Sequence, residues 1–294
     1  MRRHTAAHAL VLDDDLLVHG DAADVLPRLP DGAFTLIAID PPFNTGRRRE
    51  LHSVRATADP TGDHVGFGGR AYRTERISHG AYDDAFDDYL GFLRPHLVEA
   101  RRLMSDRGTL YVHLDWREAH YVKVALDEIF GRDRFLNEIV WAYDYGGRSR
   151  RRWPAKHDTI LVYVKDPERY HFDSQTVDRE PYMAPGLVTP EKAARGKLPT
   201  DVWWHTIVPT NSHERTGYPT QKPEGIVRRM VSASTAPGDW CLDFFCGSGT
   251  LGAVAGGLGR RYVLVDRNPT AVAIAADRLS GAGNHHGNYS RNVR

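Results

Sequence analysis

Residues 240–250 read Trp240-Cys-Leu-Asp243-Phe-Phe-Cys-Gly247-Ser-Gly249-Thr250, and a little further on stands Tyr262-Val-Leu-Val-Asp266. The apolar run over 240–245 predicts a buried strand, 250–257 a helix and 262–266 a second strand. Glycines at the strand-to-helix turn let the backbone approach a ligand closely. The unpaired amides that open the helix favour a negative group. Asp266 closes the second strand about twenty residues beyond the turn, where a carboxylate suits the two hydroxyls of a ribose. The plainer reading of Asp266 is an exposed strand end.

Two classes of protein share this unit: dinucleotide oxidoreductases and S-adenosylmethionine methyltransferases. The turn here is Gly247-Ser-Gly249, and Gly252 falls inside the helix, so no full G-x-G-x-x-G is present. That favours the methyltransferase layout without deciding it. Outward from this unit the alternation continues, with helices predicted over 223–234 and 269–279. Near the start, Phe34-Thr-Leu-Ile-Ala-Ile39 predicts a buried parallel strand that Pro41 and Pro42 cut off. Helical spacing covers 86–104 and 117–130. Strands are predicted over 108–113, 139–143 and 156–164. Strands alternating with helices imply a mainly parallel sheet covered on both faces. The stretch 44–82 lacks periodicity and reads as a long loop, and 281–294 as a polar, flexible tail.

The chain has 294 residues, room for one large α/β domain or a core with a sizeable insertion. Hydrophobic residues form 41% and charged ones 26%, which suits a packed globular core. No apolar run approaches the roughly 20 residues that would span a bilayer. The opening Met-Arg-Arg-His is followed by a short apolar stretch that Asp13, Asp14 and Asp15 soon break, unlike a signal peptide. Cys241 and Cys246 share one segment without a second pair or nearby histidines. No disulfide framework or metal site is expected, and a reducing cytoplasm is. The net charge of +1 conceals an uneven distribution, acidic at 83–88 and basic at 148–152.

Asp40-Pro41-Pro42-Phe43 decides between the two classes. An exocyclic amine of adenine or cytosine is a poor nucleophile because its lone pair is delocalised into the ring. A carboxylate and a backbone carbonyl that accept its N–H groups would localise that pair towards a methyl donor. Prolines fix the carbonyl direction, and an aromatic beside them can stack on a base extruded from the duplex. In order along the chain stand Asp40 to Phe43, then Thr216-Gly-Tyr-Pro-Thr-Gln-Lys-Pro223, then the glycine turn at 243–250. This order resembles the β-class DNA amino-methyltransferases over roughly residues 16–280.

The resemblance implies a Rossmann-like α/β methyltransferase sheet with permuted motif order, and an inserted target-recognition subdomain at 144–210. On that division 1–143 is the catalytic half, 211–280 the cofactor-binding half and 281–294 a tail. It assigns catalysis to Asp40, Pro41, Pro42 and Phe43. S-adenosylmethionine would be held by Asp21 and Ala22 of the Gly20-Asp21-Ala22 turn, by Thr220 and Lys222 near its methionine end, by Asp243, Phe244, Phe245, Gly247, Gly249 and Thr250, and by Asp266. Cys246 stands where the family more often has Ala. Double-stranded DNA is the implied partner, with a homodimer and a cognate restriction endonuclease as further expectations.

Asp at position 40, followed by Asn44-Thr45-Gly46, is closer to the adenine-N6 members than to the cytosine-N4 members, which often begin with Ser. Cytosine N4 stays the alternative, as does an inactive nucleic-acid-binding module. Neither cysteine is placed to attack carbon 5 of a cytosine, and no Cys/His set suits zinc deamination. For DNA contact the strongest stretch is Tyr143 to Lys156, whose Arg148, Arg150, Arg151, Arg152 and Lys156 suit phosphates and base edges. The arginines of 44–82 would close over the duplex. Trp203-Trp204 is expected in packing rather than base stacking.

Overall fold

The computed structural model describes residues 9–58, 61, 64, 65, 71–146, 148–209 and 212–281. In chain order the elements begin with β1 (Leu16–His19), α1 (Ala22–Val25), β2 (Phe34–Ile39), β3 (Arg47–Ala58), β4 (His64–Val65) and β5 (Ala71–Asp84). There follow α2 (Tyr89–Leu103), β6 (Met104–Leu114), α3 (Ala119–Phe130), β7 (Phe135–Ala142), β8 (His157–Val164) and α4 (Pro190–Arg195). The chain then forms β9 (Val202–Trp204), α5 (Glu224–Ser234), β10 (Trp240–Asp243), α6 (Thr250–Gly257), β11 (Arg261–Asp266) and α7 (Pro269–Gly281).

Eight strands form one sheet in the order β1-β11-β10-β2-β6-β8-β7-β9. From β1 to β6 every pairing is parallel, and β8 is antiparallel to both β6 and β7. The C-terminal unit β10-α6-β11 is therefore wedged between two N-terminal strands, with Val18 opposite Val265 and Leu36 opposite Cys241. This is the permuted methyltransferase sheet that the motif order predicts.

Consecutive residues on each strand serve opposite faces, because side chains alternate along a β-strand. Ile37 and Val263 pack on one face with Leu93, Leu97, Leu126 and Phe130 from α2 and α3. Leu36 and Leu264 pack on the other with Met230, Val231, Leu251 and Val254 from α5 and α6. All six residues of β2 are buried, which is why its sequence reads as an unbroken apolar run.

Two expectations are corrected. The expected insertion 144–210 is not one block, because β8 lies inside it and pairs with β6 in the middle of the large sheet. Ile160 to Val164 is buried throughout, the pattern of a central strand rather than of an added subdomain. Among the described residues of that stretch, 144–156, 165–201 and 205–209 lie outside the strands of the sheet, and β9 closes its edge. The expected loop 44–82 instead contains β3 and β5 as a long antiparallel pair with β4 beside it. Backbone hydrogen bonds hold such a pair without an apolar face, and a register shift between Ser53 and Val54 interrupts the alternation a sequence reading needs.

β9 shows alternation in miniature: Trp203 is buried in the core while Trp204 and Val202 face outward. The packing expected of this pair holds for the first tryptophan alone. Among the described residues no helix is long and apolar enough to cross a membrane.

Candidate active site

Parallel strands bring their C-terminal ends to one edge of a sheet, and ligands of such folds sit in the crevice outside that edge. Here β2 ends before Asp40, β10 at Asp243 and β11 at Asp266, and these three carboxylates border one cavity of about 870 Å³. Asp21, Ala22, Pro41, Pro42, Phe43, Thr220, Lys222, Phe244, Phe245, Gly247 and Thr250 border it as well. Three motifs that lie far apart in sequence thus meet in space.

At the glycine turn, Asp266 accepts hydrogen bonds from the amides of Gly247 and Asn268, each at 2.8 Å. Burial pushes its carboxyl above the ordinary range in spite of those two donors. Asp243 accepts from the Phe245 amide at 3.0 Å. Burial, reinforced by Asp40 and Asp266, pushes its carboxyl well up, against the Phe245 amide and Lys222. Gly249 has φ +73°, and a Cβ there would come within 2.9 Å of Ala275 Cβ, so only glycine fits this cap of α6. A Cβ on Gly247 would meet the Tyr218 ring at 3.1 Å. Asp21 caps α1 by accepting from the Ala23 amide at 2.9 Å. Thr250 Oγ1 donates to the Lys222 carbonyl at 3.3 Å, which ties α6 to the segment before α5.

The segment from Asp40 to Phe43 is held from several sides. Tyr89 OH donates to the Pro42 carbonyl at 2.7 Å. Asn44 adopts φ +53°, donates through Nδ2 to Glu118 at 2.7 Å and accepts from the Phe86 amide at 2.9 Å. Lys222 Nζ pairs with Asp40 Oδ2 and lies 5.0 Å from the centre of the Phe43 ring. His113, at the end of β6, places Nδ1 2.9 Å from Asp40 Oδ1 and Nε2 3.1 Å from Asp158 Oδ2. Tyr143 OH donates to the other oxygen of Asp158 at 3.0 Å. Burial alone would push the Asp40 carboxyl up, but Lys222 and His113 together hold it below the ordinary carboxylate range.

A family model described as DNA methylase matches residues 34–277. The chain belongs to this family. Over 275 residues it is 29% identical to the Type II methyltransferase M.HpaI of Haemophilus parainfluenzae, covering 92% of this chain and 76% of that protein. It is 27% identical over 277 residues to the DNA adenine methyltransferase YhdJ of Escherichia coli K12, covering 92% and 84%. The crystal structure of the M1.HpyAVI–SAM complex shares the fold at a TM-score of 0.56 and 18% identity, over 90% of this chain and 98% of that one.

The methylase is thus an S-adenosylmethionine-dependent DNA methyltransferase of the N6/N4 amino class. Its residues suit that cofactor: one buried and one half-buried carboxylate lacking a full complement of cations, beside a turn that side chains would fill. When bound, S-adenosylmethionine supplies an electrophilic methyl group. Both cysteines are buried with their thiols pushed up by burial, Cys246 well above the ordinary range, so neither is a nucleophile. Among the described residues no cluster of His, Cys, Asp and Glu could hold a metal ion.

The basic stretch is arranged differently. Arg148, Arg150, Arg151 and Arg152 are exposed and lie outside the cavity wall, whereas their neighbours Tyr145, Gly146 and Ala155 line it. Lys156 is half-buried, donating to the Gly146 carbonyl at 2.9 Å and lying 3.6 Å from the exposed Asp144. Arg152 lies 5.4 Å from the ring centre of Trp116, and Trp153 is 95% exposed. The side chains of 47–58, with their arginines, lie outside the described residues. Sequence reading missed His113 and Asp158, and placed Tyr143 at the start of the DNA-contact stretch, whereas its hydroxyl holds Asp158. A histidine closing an apolar strand was the available signal, but its partner Asp158 had been set apart with the insertion.

Proposed function

We propose that the methylase transfers a methyl group to N6 of an adenine flipped out of duplex DNA. The observation that carries this reading is the Asp40 carboxylate on the cavity wall, paired with Lys222 and His113 in the same motif as Phe43. Asp40 accepts one N–H of the amine. The Pro41 carbonyl is the second acceptor, and the Tyr89 hydroxyl, donating to the Pro42 carbonyl, holds the Pro-Pro turn that aims it. Phe43 stacks on the base, and Lys222 steadies both Asp40 and Phe43. Asp266 takes the ribose hydroxyls of the cofactor, Asp243 its methionine end, and Asp21 its adenine amine. Phe244, Phe245, Gly247, Gly249, Thr250, Thr220 and Ala22 shape the rest of that pocket. The E. coli relative is named an adenine methyltransferase, which supports adenine over cytosine.

Target recognition falls to 144–156 and 165–201, the two longer parts of the expected insertion outside the strands. The exposed arginines contact phosphates while the cavity receives the base. The Haemophilus relative is named a Type II methyltransferase, which supports a restriction endonuclease as companion, and a homodimer is the proposed assembly. The test is expression in a host without its own DNA methylation, followed by nucleoside mass spectrometry and methylation-sensitive sequencing. N6-methyladenine at one recurring sequence is expected. N4-methylcytosine in its place would overturn the choice of base.

A further inference from the structure

His113 is nearly fully buried, and its ring is surrounded by charge from three separate parts of the chain. Asp40 follows β2, Asp158 belongs to β8, and Lys222 precedes α5. Its apolar contacts are the Phe43 ring, edge-on with centres 5.2 Å apart, and the Trp141 ring at 5.4 Å. A neutral imidazole carries one N–H and one lone pair. Here each ring nitrogen faces a carboxylate oxygen, at 2.9 Å and 3.1 Å. A bare lone pair at either distance would confront an anion with no proton between them. The state that satisfies both contacts is the one with hydrogen on both nitrogens, a cationic ring. The contact with Asp40 is an ion pair rather than a straight hydrogen bond, whereas Asp158 accepts directly. The charges then balance: Lys222 and His113 stand against Asp40 and Asp158. Removing either cation would leave a buried carboxylate uncompensated, which is strongly unfavourable.

We propose that His113 is a positioning residue whose imidazolium, anchored by Asp158 and Tyr143, orients the Asp40 carboxylate towards the target amine and couples methyl transfer to its own protonation. The proposal rests on Asp40 as the acceptor for that amine. Lys222 can neutralise Asp40 but meets only Oδ2. His113 faces Oδ1, so the two cations together fix the plane of the carboxylate. Loss of the His113 proton would place a lone pair against Oδ1 and turn the carboxylate away. Burial and Lys222 press the ring towards the neutral form, yet Asp40 and Asp158 hold its titration above the ordinary histidine value. Activity should thus fall as pH rises through that point.

The test joins spectroscopy to kinetics on the full-length protein. With ring-labelled histidine, the His113 nitrogens should both be protonated below a midpoint higher than the ordinary ~6.5 of free histidine. Asp158→Asn should lower that midpoint. Single-turnover methylation of duplex DNA should lose rate with the same midpoint in the parent, and at lower pH in Asp158→Asn. His113→Gln should lower the rate constant about ten- to a hundred-fold, abolish this pH limb, and leave S-adenosylmethionine affinity within a few-fold. Should His113→Gln fail to bind the cofactor, the Asp158→Asn shift decides alone. A midpoint at or below ~6.5, or parental rates and pH profile in His113→Gln, would overturn the proposal. Asp40→Asn separates the two readings. If Asp40→Asn is inactive while His113→Gln is normal, only the His113 inference fails. If Asp40→Asn is active, the reading of Asp40 fails first.

Discussion

Asp40 and Asp243 end neighbouring parallel strands, both deep in the same cavity, and their carboxyls move in opposite directions. Asp40 is held below the ordinary range because Lys222 and His113 outweigh the effect of burial. Asp243 is pushed well above it, because burial outweighs the single Phe245 amide and Lys222. Asp266 behaves like Asp243 in spite of its two amides. On the proposed reading, the carboxylate that meets the base is neutralised, while those that meet the cofactor are left short of positive charge. An ionised acceptor is needed at the amine in every turnover. The cofactor brings its own cationic groups, so its site need not supply them.

The largest test of this contrast is at Asp40. Asp40→Ala should reduce methyl transfer by on the order of 10² or more, the cost of losing one placed acceptor at the reacting atom. Calorimetry on the same variant should show cofactor affinity within a few-fold of the parent. Near-normal turnover would remove Asp40 from the chemistry. Asp266→Ala should do the reverse, weakening S-adenosylmethionine by about 1–3 kcal/mol through unpaired buried partners while DNA affinity stays. Unchanged cofactor binding would reduce Asp266 to a strand end that caps a turn.

The pH dependences should also oppose one another. A lowered carboxyl such as Asp40 contributes stability above its unfolded value of ~3.9, lost as pH falls through its folded value. His113 is raised, so its contribution is complete below ~6.5 and lost as pH rises through its folded value. Asp243 and Asp266 are raised acids, with contributions complete below ~3.9 and lost as pH climbs through their folded values. A cationic ligand favours their ionised forms, so S-adenosylmethionine binding should release protons, and its affinity should strengthen with pH across the same interval. Calorimetry in buffers of different ionisation enthalpy reads that proton release directly. Proton uptake, or none, would break the contrast between the two carboxylate sets.

What could be read from sequence follows the same divide. The β10-α6-β11 unit was legible because its parts are local: an apolar run, glycines at a turn and an acid at a strand end lie within one short stretch. Asp40-Pro41-Pro42-Phe43 was legible as chemistry because the prolines and the aromatic are adjacent. The floor beneath it was not. His113, Asp158 and Lys222 come from β6, β8 and the segment before α5, and only sheet order brings them together. Reading Asp158 correctly required knowing that β8 runs antiparallel beside β6, which sets Thr159 opposite Leu114 and Ile160 opposite His113. Lys222 was placed with the cofactor by resemblance, yet its ammonium rests on Asp40, at the junction of the two halves. The pair β3 and β5 was hidden for another reason, since backbone pairing alone leaves little trace in side-chain pattern.

The smallest expected effects lie on the basic stretch, which contrasts with both carboxylate sets because it is exposed and its charges are already solvated. Arg150, Arg151 and Arg152 should act on DNA through phosphates, each contact adding about 0.9 to the slope of log affinity against log salt. A single Arg150→Ala or Arg151→Ala change should then flatten that slope by roughly one unit, about a three- to four-fold difference in affinity between 50 and 200 mM salt. Arg152 already lies against Trp116, so its head is more restrained than its neighbours'. If it reads a guanine edge instead, the slope should change less, and discrimination at one position should fall by about 1–3 kcal/mol. Cofactor affinity should not move in any of these variants, since none of the three lines the cavity. The measurement is a salt titration of DNA binding for each variant beside the parent, on cognate and altered sites. Slopes and sequence preference that match the parent would assign these arginines to solvent, and would move the DNA-reading surface to the β3–β5 pair.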